Sequence, residues 1–383
     1  MDNDGNIKVV EGKQKKQRGY FDFSLLFLTI FLIGFGIIMI YSASNYNATK
    51  YYNDPMFFTK QQIKNAAIGI GAMLIAAFVN YTWYSKGPFG IPALVLVVCT
   101  GLMIYATAFG DEHGGSQRWI SIFNRFSFQP SEFAKIGLII FTAYAISAAP
   151  GKLASWKGFL KIVLYCSLLL ALVAYENLST AIILGAILYV TCLIASEKKG
   201  YYLIFFLVAA AAAAILIFTV GYRSERIDIW LHVETHEKGG QILQGLYAIA
   251  SAGLFGLGLG NSMQKLGYIP EAHNDMIFSI ICEELGIFGA FAILLLYVLL
   301  LWRIYVVAVN AKDLFGSMLC IGVMINIAVQ VIMNVAVVTN SIPSTGIVLP
   351  FISYGGTSML VFCAEIGMVL SVSARTPRER VEA

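Results

Sequence analysis

Residues 23–41 read FSLLFLTIFLIGFGIIMIY, a stretch in which no side chain is charged. Its length matches the roughly 20 apolar residues that a helix needs to cross a bilayer. The apolar residues are continuous, whereas the strands of a membrane barrel alternate every second residue. Because backbone in lipid is paired only within helices or closed barrels, the stretch predicts an all-α polytopic membrane protein.

The composition of the 383 residues supports this fold class, since 58% are hydrophobic and only 13% are charged. Soluble domains contain about 45–50% apolar and about 25% charged residues, so an ordinary soluble protein is excluded. The aromatic content of 13% excludes a disordered chain. We expect the protein to contact the membrane and no nucleic acid.

Ten apolar stretches predict ten transmembrane spans, and this even number places both termini on one side. Only a few polar residues, among them Glu176 and Asn177, separate the fifth and sixth spans, which predicts a tight hairpin. The predicted spans lie near 22–43, 63–80, 88–108, 131–149, 158–175, 178–196, 200–220, 276–302, 314–339 and 347–373.

Most of the 26 basic residues lie in the two tails and in the short connections on the same side of the membrane. Cytoplasmic segments carry such an excess, so we expect both termini in the cytoplasm. The chain then consists of a tail over 1–21, a membrane domain over 22–373 and a tail over 374–383. The long connections that face outward are 44–62, 109–130 and 221–275.

The polar start of the fourth span contains Glu132 three residues before Lys135, on one face of a helix that begins at Pro130 and Ser131. One interpretation is an interfacial anchor, with Trp119 in the aromatic belt and a structural Glu–Lys pair. The other is a polar, cationic lining for an anionic headgroup. The spacing alone favours neither.

The connection before the eighth span contains a second candidate site. Arg223 and Arg226 lie just outside the seventh span, where the phosphate of a bilayer lipid would lie. The motif Glu271-Ala-His-Asn-Asp275 directly precedes the eighth span. Asp275 would be partly desolvated and held at a rigid helix start, which suits a general base.

Three other patterns resemble nucleotide-binding or metal-binding motifs only in part. The glycine run 253–260 has the spacing of a nucleotide loop, but no strand precedes it, and a flexible re-entrant turn is the better interpretation. His232 and His236 lack the rest of an HExxH motif, and Asp111-Glu112-His113 is equally well explained as a polar loop tip, so we predict no metal site.

The last span is interrupted by two prolines and three glycines within 343–358. Such a break is tolerated only inside protein or beside a water-filled cavity, so the sequence predicts a polar cavity next to the outer connection. Acids within spans are costly and are therefore further candidates. These acids are Glu132, Glu283, Glu284 and Glu365.

In these segments the chain resembles the SEDS family of shape, elongation, division and sporulation proteins, over nearly its whole length. The motifs are Arg118-Trp119, Gln129-Pro-Ser-Glu-Phe-Ala-Lys135, Gly258-Leu-Gly-Asn-Ser262, Pro270-Glu-Ala-His-Asn-Asp275, Glu283-Glu-Leu-Gly286 and Leu349-Pro-Phe-Ile-Ser-Tyr-Gly-Gly356. Asn-Ser-x-Gln-Lys is more similar to the FtsW/SpoVE branch than to the RodA branch. The chain departs from the family at Glu176-Asn-Leu-Ser-Thr180, where members often carry Pro-Asp-Leu-Gly-Thr, so we assign this loop no catalytic role.

The resemblance implies a peptidoglycan glycosyltransferase that polymerises lipid II on the outer face of the plasma membrane, at the division septum. It implies a class B penicillin-binding protein, the transpeptidase, as a partner, together with other divisome proteins. A RodA-like elongation role, a lipid II flippase and a non-enzymatic scaffold are the alternatives. Flipping needs access from both faces, whereas the polar residues cluster outside.

The resemblance also implies roles for the site residues. Asp275 would take the proton of the acceptor's 4-hydroxyl, and one base suffices because polyprenyl diphosphate leaves as a stable anion. Arg118 and Lys135, with Arg223 or Arg226, would stabilise the diphosphate, and Glu132 would orient Lys135. Mg²⁺ or Mn²⁺ could share the diphosphate charge, although the sequence shows no dedicated set of metal ligands. The other residues expected to bind substrate are Trp119, Gln129, Ser131, His273, Asn274, Ser353 and Tyr354.

Reporter fusions test the predicted orientation. A fusion after Arg380 should report the cytoplasm and a fusion within 45–60 the exterior, because the basic segments stay inside. If both fusions report the same side, the ten-span count is wrong.

Overall fold

A computed structural model describes residues 20–86, 90–113, 116–122, 126–219 and 221–377. These residues form twelve α-helices and one antiparallel sheet of three strands. The helices are α1 (Phe23–Tyr52), α2 (Phe57–Phe78), α3 (Ile91–Phe109), α4 (Pro130–Ala148), α5 (Trp156–Glu176), α6 (Leu178–Ala195), α7 (Gly200–Thr219), α8 (Gly221–Leu231), α9 (Gly240–Ser251), α10 (Ile277–Asn310), α11 (Leu314–Val338) and α12 (Gly356–Ser373). The strands are β1 (Asp111–His113), β2 (Ser116–Ile122) and β3 (Phe126–Phe128).

Eight of the described helices are long and apolar enough to cross a membrane, which confirms a polytopic, helical membrane protein. They are α1, α3, α4, α5, α6, α10, α11 and α12. The other two predicted spans correspond to α2, which carries Lys60 and Lys64 near its start, and to α7. The count of ten spans stays a prediction.

The hairpin predicted between the fifth and sixth spans is confirmed, because Asn177 alone separates α5 from α6. Its side-chain oxygen accepts hydrogen bonds from the backbone N–H groups of Ser179 at 3.0 Å and Thr180 at 3.2 Å. This cap satisfies two of the N–H groups that a helix start leaves unpaired.

All three connections predicted on the outer side contain regular structure, since α1 extends to Tyr52 and α2 begins at Phe57 within 44–62. Strand β2 pairs with β1 and β3 between α3 and α4, and α8 and α9 lie between α7 and α10. The sheet is a local exception to the all-α class. Strands β1 and β3 have only three residues each, and the seven residues of β2, SQRWISI, do not alternate between polar and apolar, which explains why the strands were not predicted.

Helix α10 is interrupted at Gly286, whose φ of +72° is not helical. The interruption leaves the carbonyl groups of Glu283 and Glu284 free, and the N–H groups of Leu257 and Gly258 donate to them, each at 2.9 Å. A Cβ on Gly256 would lie 2.3 Å from the Glu284 carbonyl oxygen. The glycine run therefore packs backbone against backbone, rather than forming a flexible turn or a nucleotide loop.

The predicted break in the last span is confirmed. Residues 339–355 between α11 and α12 form an irregular segment, which we call the re-entrant segment, and α12 begins only at Gly356. Gly36 of α1 allows this segment to approach closely, since a Cβ there would lie 2.7 Å from the Ile352 Cα. Helix α1 thus covers the irregular backbone around Ile352, while Gly346–Val348 lines a cavity, and both situations are ones in which such backbone is tolerated.

Candidate functional site

A cavity of about 620 Å³ opens where the sheet, the re-entrant segment and the starts of α2, α4 and α6 meet. Polar residues from five helices and from the outer connections line it, which confirms the polar cavity predicted from the interrupted span. The lining comprises Gln61, Lys64, Asn65, Trp119, Ser127, Gln129, Glu132, Lys135, Asn177, Thr180, Ile183, Glu271, Asn274, Asp275, Gln330, Gly346, Ile347, Val348, Tyr354, Gly355, Gly356, Thr357 and Ser358.

Lys135 lines the cavity although its side chain is only 1% exposed. Its Nζ lies 2.8 Å from a carboxylate oxygen of Glu132 and donates to the Gln330 side-chain oxygen at 3.2 Å. It also lies 5.4 Å from the centre of the Phe362 ring. The Glu132–Lys135 pair expected from the spacing is therefore present, and both residues line the cavity together with Trp119. The role of this pair toward an anionic headgroup stays a prediction.

A chain of buried polar side chains continues from Lys135 away from the cavity. The Gln330 amide donates to the Asn326 oxygen at 2.7 Å, and the Asn326 amide donates to Glu365 at 2.8 Å and 2.9 Å. Asn326 and Glu365 are fully buried and do not line the cavity. Two amide side chains thus link Glu365 to Lys135 through hydrogen bonds.

Glu283 and Glu284, the other intramembrane acids, anchor the outer connection. Lys265 lies 2.8 Å from Glu284, whose carboxylate also accepts hydrogen bonds from Ser42 at 2.6 Å and 2.8 Å. Glu283 accepts from the backbone N–H of Met263 at 3.0 Å. These contacts fix the segment that leads to Asp275 and place neither acid in the cavity lining.

Asp275 lines the cavity two residues before α10 begins. Burial raises the pKa of its carboxyl group, the neighbouring Glu271 raises it further, and Arg226 has the opposite effect. Asp275 is half-buried, and a partly desolvated carboxylate with a raised pKa is a stronger proton acceptor at neutral pH than a fully exposed one. The role of Asp275 as a general base stays a prediction.

His273 supports the loop and does not line the cavity. Its ring is 3% exposed and lies 4.2 Å from that of Phe58 and 5.3 Å from that of Tyr354. Burial lowers the pKa of this imidazole to about 4, so the ring is neutral at physiological pH. Its backbone carbonyl accepts a hydrogen bond from the N–H of Tyr354 at 2.9 Å.

The other predicted site residues divide into three groups. Trp119, Gln129, Asn274 and Tyr354 line the cavity. Ser131 and Ser353 are buried outside the lining, and the Ser353 hydroxyl accepts from the Leu349 N–H at 2.8 Å, which gives it a structural role in the re-entrant segment. Arg226 donates to the Ser344 carbonyl at 2.9 Å, and the side chains of Arg118 and Arg223 lie outside the described residues.

The sequence analysis missed several lining residues. Gln61, Lys64 and Asn65 share a face of α2, with a spacing of three and four that identifies a polar stripe at the start of the helix. Gln330 belongs to a second stripe, with Asn326 and Asn334 one turn to either side on the apolar helix α11. Asn177 and Thr180 also line the cavity, in the loop to which no catalytic role was assigned.

Among the described residues, no cluster of three His, Cys, Asp or Glu side chains could hold a metal ion.

Comparison with known proteins gives consistent matches along the chain. The family model described as "Cell cycle protein", which covers FtsW, RodA and SpoVE, matches residues 23–378. Stage V sporulation protein E of Bacillus subtilis (strain 168) is 37% identical over 92% of this chain and 96% of its own length. The probable peptidoglycan glycosyltransferase FtsW of Geobacter sp. (strain M18) is 36% identical over 94% of this chain and 98% of its own length.

Two solved structures are similar to the fold. A chain from a peptidoglycan synthase complex, solved to show the structural coordination of polymerization and crosslinking, has a TM-score of 0.75 at 25% identity and covers 94% of this chain and 98% of its own. The rod shape determining protein RodA of Thermus thermophilus has a TM-score of 0.68 at 23% identity and covers 92% of this chain and 96% of its own. The second likeness concerns the fold alone.

Proposed function

Since the chain belongs to the FtsW, RodA and SpoVE family of cell cycle proteins, we propose that it is a peptidoglycan glycosyltransferase that polymerises lipid II into glycan strands during cell division. Relatives that match more than nine tenths of the chain are named probable peptidoglycan glycosyltransferases. The polytopic fold fits a substrate that is itself a membrane lipid.

The observation that carries the proposal is one cavity lined by Asp275 together with Lys64 and Lys135. Lipid II combines a sugar, which needs a base at the acceptor hydroxyl, with a diphosphate, which needs cations. A cavity with only one of these features would suit a lipid-binding protein equally well. Both features in the same cavity favour glycosyl transfer.

In the proposed reaction, the carboxylate of Asp275 accepts the proton of the acceptor's 4-hydroxyl as that oxygen forms a bond to the donor's anomeric carbon. The bond from that carbon to the diphosphate oxygen breaks, and polyprenyl diphosphate leaves with its electron pair. Lys135 and Lys64 stabilise the charge of this leaving group. Glu132 keeps Lys135 in place through their 2.8 Å ion pair. Arg118 and Arg223 are further cations proposed for the diphosphate.

The proposal includes the cellular arrangement. Both termini are cytoplasmic, with tails over 1–21 and 374–383 around a membrane domain over 22–373, and the cavity opens outward at the septum. The partner is a class B penicillin-binding protein, together with other divisome proteins. The similarity to a chain from a peptidoglycan synthase complex supports such a partnership.

Purified protein given fluorescent lipid II, with and without a transpeptidase partner, tests the function directly. Glycan strands on a gel are the expected product. Translocation of lipid II in vesicles without strands under either condition would instead support the flippase alternative.

Lys135→Ala should strongly reduce lipid II polymerisation, because it removes a cation from the cavity and leaves Glu132 without its ion-pair partner. An unpaired buried charge costs about 3–5 kcal/mol, so the thermal stability of the variant should also fall. Gel assays at equal amounts of folded protein separate these effects. Wild-type turnover in such assays would refute the role of Lys135. Lys60→Ala is the matched control, since Lys60 pairs with exposed Asp54 outside the cavity lining.

Asp275→Asn should abolish polymerisation and leave folding intact. Asn has the size of Asp but cannot accept a proton at neutral pH, and general-base catalysis contributes about 10²–10⁴-fold. A residue that merely capped α10 would tolerate Asn, because both are good N-caps. Strand synthesis by the purified variant at more than about a tenth of the wild-type rate would refute the assignment.

A further inference from the structure

Asn334 of α11 contacts the backbone of two segments that lie next to each other in the site. Its side-chain amide donates to the carbonyl of Asp275 at 2.8 Å and to the carbonyl of Ile347 at 2.7 Å. The side chain is fully buried. One amide group therefore joins the residue proposed as base to the re-entrant segment.

The contact matters because Asp275 precedes α10 and is not held by a regular helix. The carbonyl of His273 is held by the N–H of Tyr354, and that of Asp275 is held by Asn334. The second contact acts on the residue that carries the carboxylate. It therefore has the more direct effect on where that carboxylate lies.

The segment on the other side of Asn334 forms the wall next to the carboxylate. Gly346, Ile347 and Val348 all line the cavity together with Asp275. A Cβ on Gly346 would lie 3.9 Å from a carboxylate oxygen of Asp275, so this wall and the carboxylate are in near contact. A change in the Asn334 contacts changes this spacing.

An asparagine at position 334 lowers the stability of the folded protein. Its own side-chain oxygen is buried and has no hydrogen-bond partner among the described residues. An unpaired buried polar atom costs about 1–3 kcal/mol, a cost that a leucine would avoid. The asparagine, unlike a leucine, supplies two N–H donors for the carbonyl groups of Asp275 and Ile347.

We propose that Asn334 is a positioning residue that fixes the carboxylate of Asp275 against the Gly346–Val348 wall of the cavity. This inference rests on the proposed glycosyltransferase function. It assigns Asn334 an effect on the chemical step, because the side chain does not line the cavity and cannot contact a bound substrate there.

Steady-state kinetics with fluorescent lipid II test the proposal on Asn334→Leu and Asn334→Asp. The first variant removes both donors, and the second replaces them with acceptors that face two carbonyl groups. A shift of about 1 Å in a reacting group costs about 10²-fold, so kcat should fall by about that factor. KM should stay within about threefold, since binding contacts are retained. Asn334→Ser, which keeps one donor, should give an intermediate kcat and replaces the Leu variant if that fails to fold.

Asn310→Leu is the matched control, because Asn310 also donates from its side chain to a backbone carbonyl, that of Val306 at 2.9 Å, but at the far end of α10. It should leave kcat unchanged. A normal kcat in the folded Asn334 variants, or a raised KM with normal kcat, would overturn the proposal.

Hydrogen exchange separates failure of this proposal from failure of the proposed function. Peptides that cover 270–277 and 343–350 should exchange faster in the Asn334 variants than in the wild type and in Asn310→Leu. If the wild type makes no glycan strands, the proposed function is wrong. If exchange in these peptides is the same in the Asn334 variants as in the wild type, the positioning role is wrong, whatever the activity.

Discussion

Backbone that is not helical cannot face lipid, so each interruption in the membrane domain needs hydrogen-bond partners from the protein itself. The interruption of α10 at Gly286 is paired by the glycine run, and the re-entrant segment is paired by Asn334, Arg226 and Ser353. These partners also bring Asp275 beside the re-entrant segment. The geometry of the cavity therefore follows from the need to satisfy irregular backbone.

The buried charges, like the irregular backbone, have partners within the protein. Lys135 is kept beside the cavity by Glu132 and Gln330, while Lys265 and Glu284 are used to hold the outer connection on α1 and α10. An ion pair inside a membrane protein is costly unless its atoms are hydrogen-bonded. The pair that remains next to open space, Glu132 and Lys135, is the one available to an anionic substrate.

Sequence reasoning predicted the helical membrane fold, the α5–α6 hairpin, the broken last span and the polar cavity, because each depends on local composition. Local patterns indicated two separate candidate sites, around Glu132 and Lys135 and around Asp275, and only the resemblance to the SEDS family implied that they act on one substrate. Sequence reasoning missed the strands β1–β3, which are short or lack alternation of polar and apolar residues, and the contributions of Lys64 and Gln330. It expected Ser353 to bind substrate, whereas its hydroxyl satisfies the backbone of its own segment. Which polar side chains face a cavity depends on how distant helices pack, and no local pattern contains that information.

The central claim is that a desolvated carboxylate acts as the general base, and the pH dependence of kcat/KM for lipid II polymerisation tests it most directly. This ratio reports the free enzyme, in which burial raises the pKa of Asp275 above its usual value of 3.8. The base works only when unprotonated, so activity should be present above this raised pKa and be lost as the pH falls through it. Thermal stability measured at each pH separates this loss from unfolding. An acidic limb with its midpoint above 3.8 in folded protein is the predicted result; a rate that stays constant down to pH 3.8 would contradict the account.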